Sequence, residues 1–552
     1  MIKSRLKEIL EKCFKEGVKR EYWSESAANY VVERPKRSGQ GDFSTNLALI
    51  AAGIEKTNPR EMAAKLIDIL AEYSDITDKI EVAGPGFVNF FVSGRVWQEV
   101  LPLICSQGGN FGPPKIGLGK RVLVEFVSAN PTGPLSVGHG RQAVLGDAIA
   151  RLLEATGYEV MREYYYNDAG RQMRVLAGSL RARYLELSGI PCELPEDGYQ
   201  GEYIYDIARE LIDEQGDKLK DLDGLEPFQK KAEQAIFKDI NGTLKSLGIN
   251  FDNYYNEHTL YDDGHIDDVV ARLREQGLVY DQDGAVWFKT SKFGLEQDRV
   301  IIKSTGEPTY RLPDIAYHRE KFRRGFDWMI DIFGADHIAT VPDVMAGITA
   351  LGLDASKVTV VLHQFVTLMR EGKQVKMSTR KATFVTLDDL LAEVGPDVVR
   401  FFFLMRKADS QLDFDLDLAT QQSQENPVYY VQYGHARLSS ILRQAKDRDI
   451  DVSEDDDVRI ALLTQPEELA LLQDMAGYPE LVKNAALDLA PHRIIFYLQD
   501  LAAKFHSYYN KHRVISEDDL EMSKARLQLV RGIRVVLSNG LNLIGVNAPD
   551  SM

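Results

Sequence analysis

A glycine-rich loop with one histidine holds the residue types that phosphate chemistry needs. Three glycines in residues 130–141 (NPTGPLSVGHGR) allow the backbone to approach a phosphate closely. Backbone N–H groups at the start of a helix bind anions. His139 can donate a hydrogen bond to a phosphoryl oxygen in a transition state. Taken alone, the segment fits a plain strand-to-helix turn with a capping histidine equally well.

A second candidate is the basic segment 373–381 (KQVKMSTRK). Its four cations, with no acid among them, are Lys373, Lys376, Arg380 and Lys381. Such a segment is unusual in a chain whose net charge is −17. Flexible cations beside the carboxyl end of a sheet suit triphosphate binding and the departure of pyrophosphate. A solvated basic loop is the alternative interpretation.

The elements around the loop are those of a nucleotide-binding domain. Residues 121–127 (RVLVEFV) form a nearly continuous β-branched run, typical of a buried parallel strand. A helix is predicted at 141–155. Strand, glycine loop and helix in this order open a nucleotide-binding α/β domain. Strands at 328–333 and 357–363 and a helix at 387–393 continue the alternation.

The chain on either side of this domain follows other patterns. The first hundred residues predict a small α+β unit, with a helix at 61–73 and two strands around a Gly-Pro-Gly turn in 80–92. A largely helical insertion is predicted at 172–292, closing with a hairpin at 281–284. After about residue 417 the chain becomes almost wholly helical.

One apolar stripe marks the helical end of the chain. Apolar residues recur there at i, i+4, i+7 and i+11. They are Ile494, Leu498, Leu501 and Phe505.

Composition excludes several classes of protein. Of 552 residues, 44% are hydrophobic and 27% are charged, which excludes a mostly disordered chain. The negative net charge excludes a uniformly basic nucleic-acid binder, but not a local basic face. Cys13, Cys105 and Cys192 are far apart, so no disulfide framework or clustered zinc site is predicted. No apolar run approaches the ~18 residues of a membrane helix. We expect a soluble cytoplasmic protein without a structural metal.

The two phosphate-binding candidates together resemble the ATP motifs of class I aminoacyl-tRNA synthetases, usually written HIGH and KMSKS. They stand here as SVGH (136–139) and KMSTR (376–380). Six ordered segments extend the resemblance to arginyl-tRNA synthetase over nearly the whole chain. They are EFVSANPTGPLSVGHGR, YNDAGRQM, PTYRLPDIAYH, GADH, VKMSTRKATFVTLDDL and NPVYYVQYGHAR.

The resemblance implies a three-domain α/β protein with a class I Rossmann-type parallel sheet. Residues 1–110 would form an N-terminal α+β domain that contacts tRNA. Residues 111–415 would form the catalytic domain, with the insertion at about 172–292. Residues 416–552 would form an all-α domain that binds the anticodon.

The resemblance also implies an arginine pocket of four residues. Asp314 would take the guanidinium, Tyr310 would fix its plane, and Asn130 would hold the amino-acid backbone end. Glu125 would contribute a second negative charge. A planar guanidinium prefers carboxylates in fork geometry, so lysine should be rejected. A helix N-cap is the alternative role for Asp314.

The implied ATP site combines both motifs with GADH. The residues are Ser136, Val137, Gly138, His139, Gly334, Asp336 and Lys376. His139, Lys376 and Ser378 would be the catalytic residues. Gly334 would let the backbone approach the nucleotide, and Asp336 would accept a ribose hydroxyl. Mg²⁺ would assist departure of pyrophosphate.

The sequence departs from the family motifs at two positions. Ser136 replaces the first histidine of HIGH, and Thr379 replaces the second lysine of KMSKS. Arg380 and Lys381 follow directly and offer the missing charge. These departures predict slower activation of arginine, not its loss.

Two surfaces are implied to bind tRNA. On the N-terminal domain the residue is Asn46, and on the C-terminal domain they are Tyr433, Arg437 and Tyr509. The N-terminal unit also carries, within residues 1–20, seven cations against three acids. The cations are Lys3, Arg5, Lys7, Lys12, Lys15, Lys19 and Arg20. This basic patch predicts phosphate contact, with a solvated amphipathic face as the alternative.

The implied activity is that of a monomeric arginine–tRNA ligase. Arginine and ATP would form arginyl-adenylate, and the arginyl group would then pass to the 3′ end of arginine tRNA. In the family, adenylate formation usually requires the tRNA. Two alternatives remain: a non-catalytic tRNA-binding paralogue, and an adenylate-forming enzyme of another specificity.

Overall fold

The structure is a computed structural model that describes residues 2–35, 37, 39–168, 171–375, 385–450 and 457–552. The predicted residues Lys376 and Ser378, together with Thr379, Arg380 and Lys381, lie outside the described residues. Within the described chain, none of the helices has both the length and the apolar character that crossing a membrane requires.

The N-terminal part packs helices on a four-stranded antiparallel sheet. Strands lie in the order β1-β2-β4-β3. In chain order the elements are α1 (Ile2–Lys19), β1 (Val32–Glu33), β2 (Phe43–Thr45), α2 (Leu47–Glu55), α3 (Pro59–Tyr73), β3 (Thr77–Ala83), β4 (Phe87–Val92), α4 (Gly94–Gln98) and α5 (Val100–Gln107). The predicted helix and the predicted strand pair of this unit are therefore confirmed.

A five-stranded parallel sheet forms the centre of the molecule, in the order β12-β11-β5-β6-β7. Its elements begin with β5 (Arg121–Glu125), α6 (Val137–Ala155), β6 (Glu159–Tyr166), α7 (Arg171–Leu187), α8 (Glu202–Gln215), α9 (Glu226–Ser246) and β7 (Asn253–Asn256). The chain order reverses next to β5, and ligands of such sheets bind at the carboxyl ends beside this reversal.

The rest of this region completes the sheet and adds two small ones. The elements are α10 (His258–Asp262), α11 (His265–Glu275), β8 (Val279–Gln282), β9 (Ala285–Phe288), β10 (Arg299–Ile302), α12 (Arg311–Arg323), β11 (Trp328–Gly334), α13 (Val341–Ala350), β12 (Val358–His363), β13 (Val366–Arg370), β14 (Lys373–Gln374), α14 (Leu387–Val394), α15 (Pro396–Phe403), β15 (Leu412–Asp415) and α16 (Leu416–Ala419). Strands β8, β9 and β10 form one small sheet, and β13, β14 and β15 form the other.

The last part of the chain is a helical bundle. Its helices are α17 (Pro427–Lys446), α18 (Asp457–Ile460), α19 (Pro466–Leu487), α20 (His492–Lys511) and α21 (Leu520–Leu543). The four residues of the predicted apolar stripe lie on α20 and are fully buried. The periodicity of this helix thus identified its core face.

Beside the glycine loop, two element boundaries differ from the prediction. Strand β5 ends at Glu125 because the backbone takes positive φ at Val127 and Ser128, which an extended strand does not allow. Helix α6 begins at Val137, four residues earlier than predicted. The motif SVGH is therefore the first turn of a helix. The predicted helical insertion also supplies a strand, because β7 pairs with β6.

Candidate active site

The N-terminus of α6 is built by a reciprocal pair of hydrogen bonds. The Ser136 hydroxyl accepts from the His139 backbone N–H at 3.3 Å, and the Ser136 N–H donates to His139 Nδ1 at 3.2 Å. The serine thus serves as the helix cap. Since Nδ1 accepts, the proton of the neutral ring is on Nε2. Burial lowers the pKa of His139, with Asp336 opposing. His139 therefore offers an N–H donor beside the open N–H groups of the first turn, Val137 and Gly138.

The described chain reaches the basic segment from both sides. The first two residues of the segment, Lys373 and Gln374, form strand β14. On its other side, Thr386 forms a bridge with Ser136, and the Leu387 N–H donates to the Leu135 carbonyl at 2.8 Å. The chain thus returns from the basic segment directly to the start of α6.

The carboxyl ends of β11 and β12 form the opposite wall of the site. Gly334 ends β11 and lies in register with His363, which ends β12. A β-carbon at Gly334 would overlap Asp336 Oδ1 and come within 4.0 Å of His363 Nε2. A side chain at residue 334 would therefore displace the Asp336 carboxylate from its present position. The Asp336 side chain is 66% exposed, which leaves its carboxylate open to a ligand.

Arg141 links α6 to the residues that lead into strands β13 and β15. The side chain is buried, and it donates to the carbonyls of Gln364 at 2.7 Å, Lys407 at 2.9 Å and Ser410 at 2.8 Å. Burial lowers the pKa of this guanidinium to about 10, with Asp409 opposing. Arg141 is thus used to hold the site together and is not exposed to phosphate.

Asp314 is the fourth residue of α12, whose N-cap position is Tyr310. The alternative role as an N-cap is therefore wrong. Among the described residues, none donates a hydrogen bond to the Asp314 carboxylate, although the side chain is half-buried. Burial raises the pKa of Asp314 to about 7, with Glu125 and Glu257 adding to the shift and His318 opposing it. This acceptor suits a buried cation.

Glu125, in contrast, already has partners. Its carboxylate accepts from Lys321 Nζ at 2.6 Å and from the Ser128 hydroxyl at 3.0 Å. Lys321 also donates to Asp331 at 2.6 Å. Burial raises the pKa of Glu125, with Lys321 opposing. At Asp331 burial is outweighed by Lys321 and His318, which lower the pKa of this carboxyl.

His318 completes this buried network. Its Nδ1 lies 2.7 Å from the Asp314 carbonyl and its Nε2 lies 2.8 Å from the Asp331 carboxylate. Each ring nitrogen of His318 thus faces an oxygen atom that accepts hydrogen bonds. The floor of the pocket is thus a hydrogen-bonded ionic network beneath the open carboxylate of Asp314.

Asn130 and Tyr310 lie at the rim. Asn130 Nδ2 donates to Gln172 Oε1 at 2.8 Å, which links the glycine loop to α7. The Tyr310 ring is 79% exposed and is free to meet a ligand. Both predicted residues thus lie on loops or helix starts at the carboxyl edge of the sheet.

The predicted tRNA-binding residues lie at two places, three on the helical bundle and one on the N-terminal domain. On the helical bundle, Tyr429 and Tyr433 stack with an interplanar angle of 4°. The Arg437 guanidinium lies 5.4 Å from the Tyr433 ring and 4.8 Å from the Tyr509 ring. These groups form a cationic aromatic platform. On the N-terminal domain, Asn46 Oδ1 already accepts from the Val31 N–H at 2.8 Å.

Ion pairs occupy much of the predicted basic patch. Lys3 pairs with Glu480, Arg5 with Asp75 and Glu99, and both Lys19 and Arg20 with Glu16. Lys7, Lys12 and Lys15 are outside these pairs. The face available to phosphate is therefore narrower than the charge count predicts.

Several residues of the site were missed in the sequence. His318 and Lys321 follow the predicted Asp314 at i+4 and i+7, a spacing that places all three on one face of α12. That spacing was a usable signal. His363 and Glu257 have no such signal in the sequence, because each is brought to the site only by the pairing of strands that are far apart along the chain.

Three family models match the chain. They describe an arginyl-tRNA synthetase N-terminal domain over residues 1–92, a catalytic domain of class I (R) tRNA synthetases over residues 101–401, and a DALR anticodon binding domain over residues 431–552.

Among the described residues, no group of three or more potential ligands could hold a metal ion.

Curated relatives match over the full length. An arginine–tRNA ligase from Desulfotalea psychrophila is 64% identical over all of both chains, and one from Salinibacter ruber is 50% identical over 94% of this chain and 95% of its own. The arginyl-tRNA synthetase structure from Thermus thermophilus, 24% identical, superposes with a TM-score of 0.76 over all of both chains and shows the shared fold. The resemblance and the fold class are confirmed: the chain belongs to the arginyl-tRNA synthetases, a class I aminoacyl-tRNA synthetase family.

Proposed function

We propose that the chain activates L-arginine with ATP and transfers it to the 3′ end of arginine tRNA, using the site at the carboxyl ends of β5, β11 and β12. The observation that carries the proposal is the meeting of three features at one sheet edge. They are the N-terminus of α6 with His139, the Gly334–Asp336 turn, and the open carboxylate of Asp314. The first feature suits an anion, the second a nucleoside and the third a cation.

Arginine binds with its guanidinium on Asp314. Among the described residues, no cation pairs directly with this carboxylate, and the ligand supplies one. Glu125, held by Lys321 and Ser128, contributes negative charge from below. Tyr310 covers the guanidinium plane, and Asn130 holds the α-amino and carboxylate end. Lysine has no planar fork and is rejected.

ATP binds between α6 and the end of β11. Its phosphates lie on the N–H groups of Val137 and Gly138, and its ribose lies on Asp336 beside Gly334. Ser136 acts by capping the helix and orienting His139. His139 Nε2–H donates to a phosphate oxygen as charge develops there. Lys376 and Ser378 act on the departing pyrophosphate.

The two chemical steps need no covalent enzyme intermediate. The arginine carboxylate oxygen bonds to the α-phosphorus, and the bond from that phosphorus to pyrophosphate breaks. The terminal ribose hydroxyl of the tRNA then attacks the arginyl carbonyl and AMP leaves. ATP enters as its magnesium complex, and the phosphates hold the ion. The residues contribute position and charge stabilisation.

The tRNA lies across all three domains, with boundaries at about residues 110 and 415. The platform of Tyr433, Arg437 and Tyr509 stacks on anticodon bases. Asn46 contacts the tRNA from the N-terminal domain through its amide group. We also propose that the enzyme is a cytoplasmic monomer.

The experiment is ATP–pyrophosphate exchange with each of twenty amino acids, with and without total tRNA. Exchange with arginine alone, appearing only when tRNA is added, is the expected result. Exchange with another amino acid would contradict the assignment of the pocket. No exchange at all would favour a non-catalytic paralogue.

A further inference from the structure

The site contains a second histidine, whose hydrogen bonding is opposite in sense to that of His139. His363 Nδ1 lies 3.3 Å from the Gln364 carbonyl oxygen. A carbonyl oxygen only accepts, so Nδ1 of His363 carries the proton. In the neutral ring Nε2 is then a bare acceptor. His139 presents an N–H donor to the site, and His363 presents a lone pair.

The position of His363 brings that lone pair to the nucleoside side of the site. The residue ends β12, next to Gly334, and its ring is buried to 8% exposure. Its Nε2 is the atom that lies 4.0 Å from where a β-carbon of Gly334 would be. Asp336 Oδ1 approaches the same point. Within the described chain, no group donates to His363 Nε2, so this acceptor is available to a ligand.

Two further contacts keep the ring in this form. Arg141 donates to the same Gln364 carbonyl at 2.7 Å and so holds the oxygen that fixes the proton on Nδ1. Burial and the nearby positive charge of Arg141 lower the pKa of His363 to about 4, although the Gln364 carbonyl and Asp336 oppose the shift. The ring is therefore neutral near neutral pH.

We propose that His363 Nε2 accepts a hydrogen bond from the nucleoside part of ATP and makes His363 a specificity-determining residue. The donor is either the 6-amino group of adenine or a ribose hydroxyl, since both are neutral hydrogen-bond donors. A phosphate oxygen is excluded as the partner because it has no proton to donate. The inference rests on the proposed function, because it assumes that ATP occupies this edge of the sheet.

The test compares ATP with analogues that each lack one donor. They are purine riboside triphosphate without the 6-amino group, 2′-deoxy-ATP and 3′-deoxy-ATP. Charging of arginine tRNA is measured with the wild-type chain, with His363→Leu, which removes the acceptor, and with His363→Gln, which restores one. His265→Leu on α11 is the control for loss of a histidine elsewhere. Thermal melting of each variant identifies any that fails to fold.

We expect His363→Leu to lower kcat/KM for ATP about tenfold or more, mainly through KM, because a buried partner loses its hydrogen bond. His363→Gln should recover part of the loss. The penalty should disappear with one analogue only. Purine riboside triphosphate would identify the adenine amine, and a deoxy analogue would identify the matching ribose hydroxyl.

A penalty of equal size with ATP and all three analogues would overturn the proposal, and so would wild-type kinetics in a folded His363→Leu variant. Failure of the proposed function itself would look different. In that case the wild-type chain would not charge arginine tRNA with any nucleotide. If His363→Leu does not fold, the analogue series is read from His363→Gln against the wild type.

Discussion

The proposed nucleotide edge and the proposed arginine pocket lie side by side but use charge in opposite ways. Three of the four described side chains at the proposed nucleotide edge are neutral, namely Ser136, His139 and His363, and the fourth is the exposed carboxylate of Asp336. Arg141, the nearby buried cation, donates its hydrogen bonds to backbone carbonyls and not to a ligand. The arginine pocket instead gathers ionised groups around Asp314. An anionic ligand is met by oriented N–H groups, whereas a cationic ligand is met by fixed negative charge.

The first way to break this comparison is to remove the cation beneath the pocket. Lys321→Met leaves Glu125 as a buried carboxylate without its cation and leaves Asp331 with His318 as its partner. We expect a loss of about 3–5 kcal/mol in unfolding free energy, measured as the change in the catalytic-domain transition in urea. Combining Lys321→Met with Asp331→Asn should recover part of it. Independent effects of the two substitutions would show that the network is not coupled.

The second test removes the open carboxylate. Asp314→Asn should raise the KM for arginine about a hundredfold or more, because the guanidinium loses its charged partner. The KM for ATP should change little. Steady-state aminoacylation with each substrate varied in turn measures both constants. Glu320→Gln, an acid-to-amide change on the same helix, is the matched control. Unchanged arginine kinetics in Asp314→Asn would remove this residue from the pocket.

The third test sharpens the comparison through pH. Burial raises the pKa of free Asp314 to about 7, with Glu125 and Glu257 adding to the shift and His318 and Lys321 opposing it. A bound guanidinium favours the ionised carboxylate, so protons and arginine compete. The apparent affinity for arginine should fall about tenfold per pH unit below 7 and level off above 7. A pH series of arginine KM should show this slope in the wild type and lose it in Asp314→Asn.

The smallest expected effect is at the cap of α6. Ser136→Ala removes the hydroxyl that accepts from the His139 N–H, a loss of about 1 kcal/mol. If the cap orients His139, kcat should fall roughly fivefold with little change in arginine KM. Ser136→Thr keeps a hydroxyl and should behave like the wild type. A kcat drop of the same size in Ser136→Thr would point to packing, not to the cap.

Local patterns revealed the elements more reliably than the contacts of the site. The β-branched run 121–127 identified β5, and the loop after it identified the phosphate side. The sequence did not reveal that the backbone turns at Val127 and Ser128, since neither is glycine. Nor did it reveal that the motif SVGH is helical, because three glycines nearby favour a loop.

The roles of individual side chains depended on distant partners. Glu125 is in a recognisable motif, but its main partner, Lys321, is 196 residues away along the chain. The charge count over residues 1–20 overlooked acids elsewhere in the chain that pair with these cations, namely Glu72, Asp75, Glu99 and Glu480. The sequence around His363 does not indicate a ligand-binding residue. Only the register of β11 and β12 places it next to Gly334. Such tertiary pairings have no local signal.

The most direct test of the account compares arginine with citrulline, its uncharged analogue, in wild type and in Asp314→Asn. The measured quantity is the ratio of kcat/KM for the two amino acids in tRNA charging. We predict a large preference for arginine in the wild type, most of which disappears in Asp314→Asn through a loss of arginine activity. A preference that is unchanged in a folded Asp314→Asn variant would contradict the claim that fixed negative charge selects the substrate.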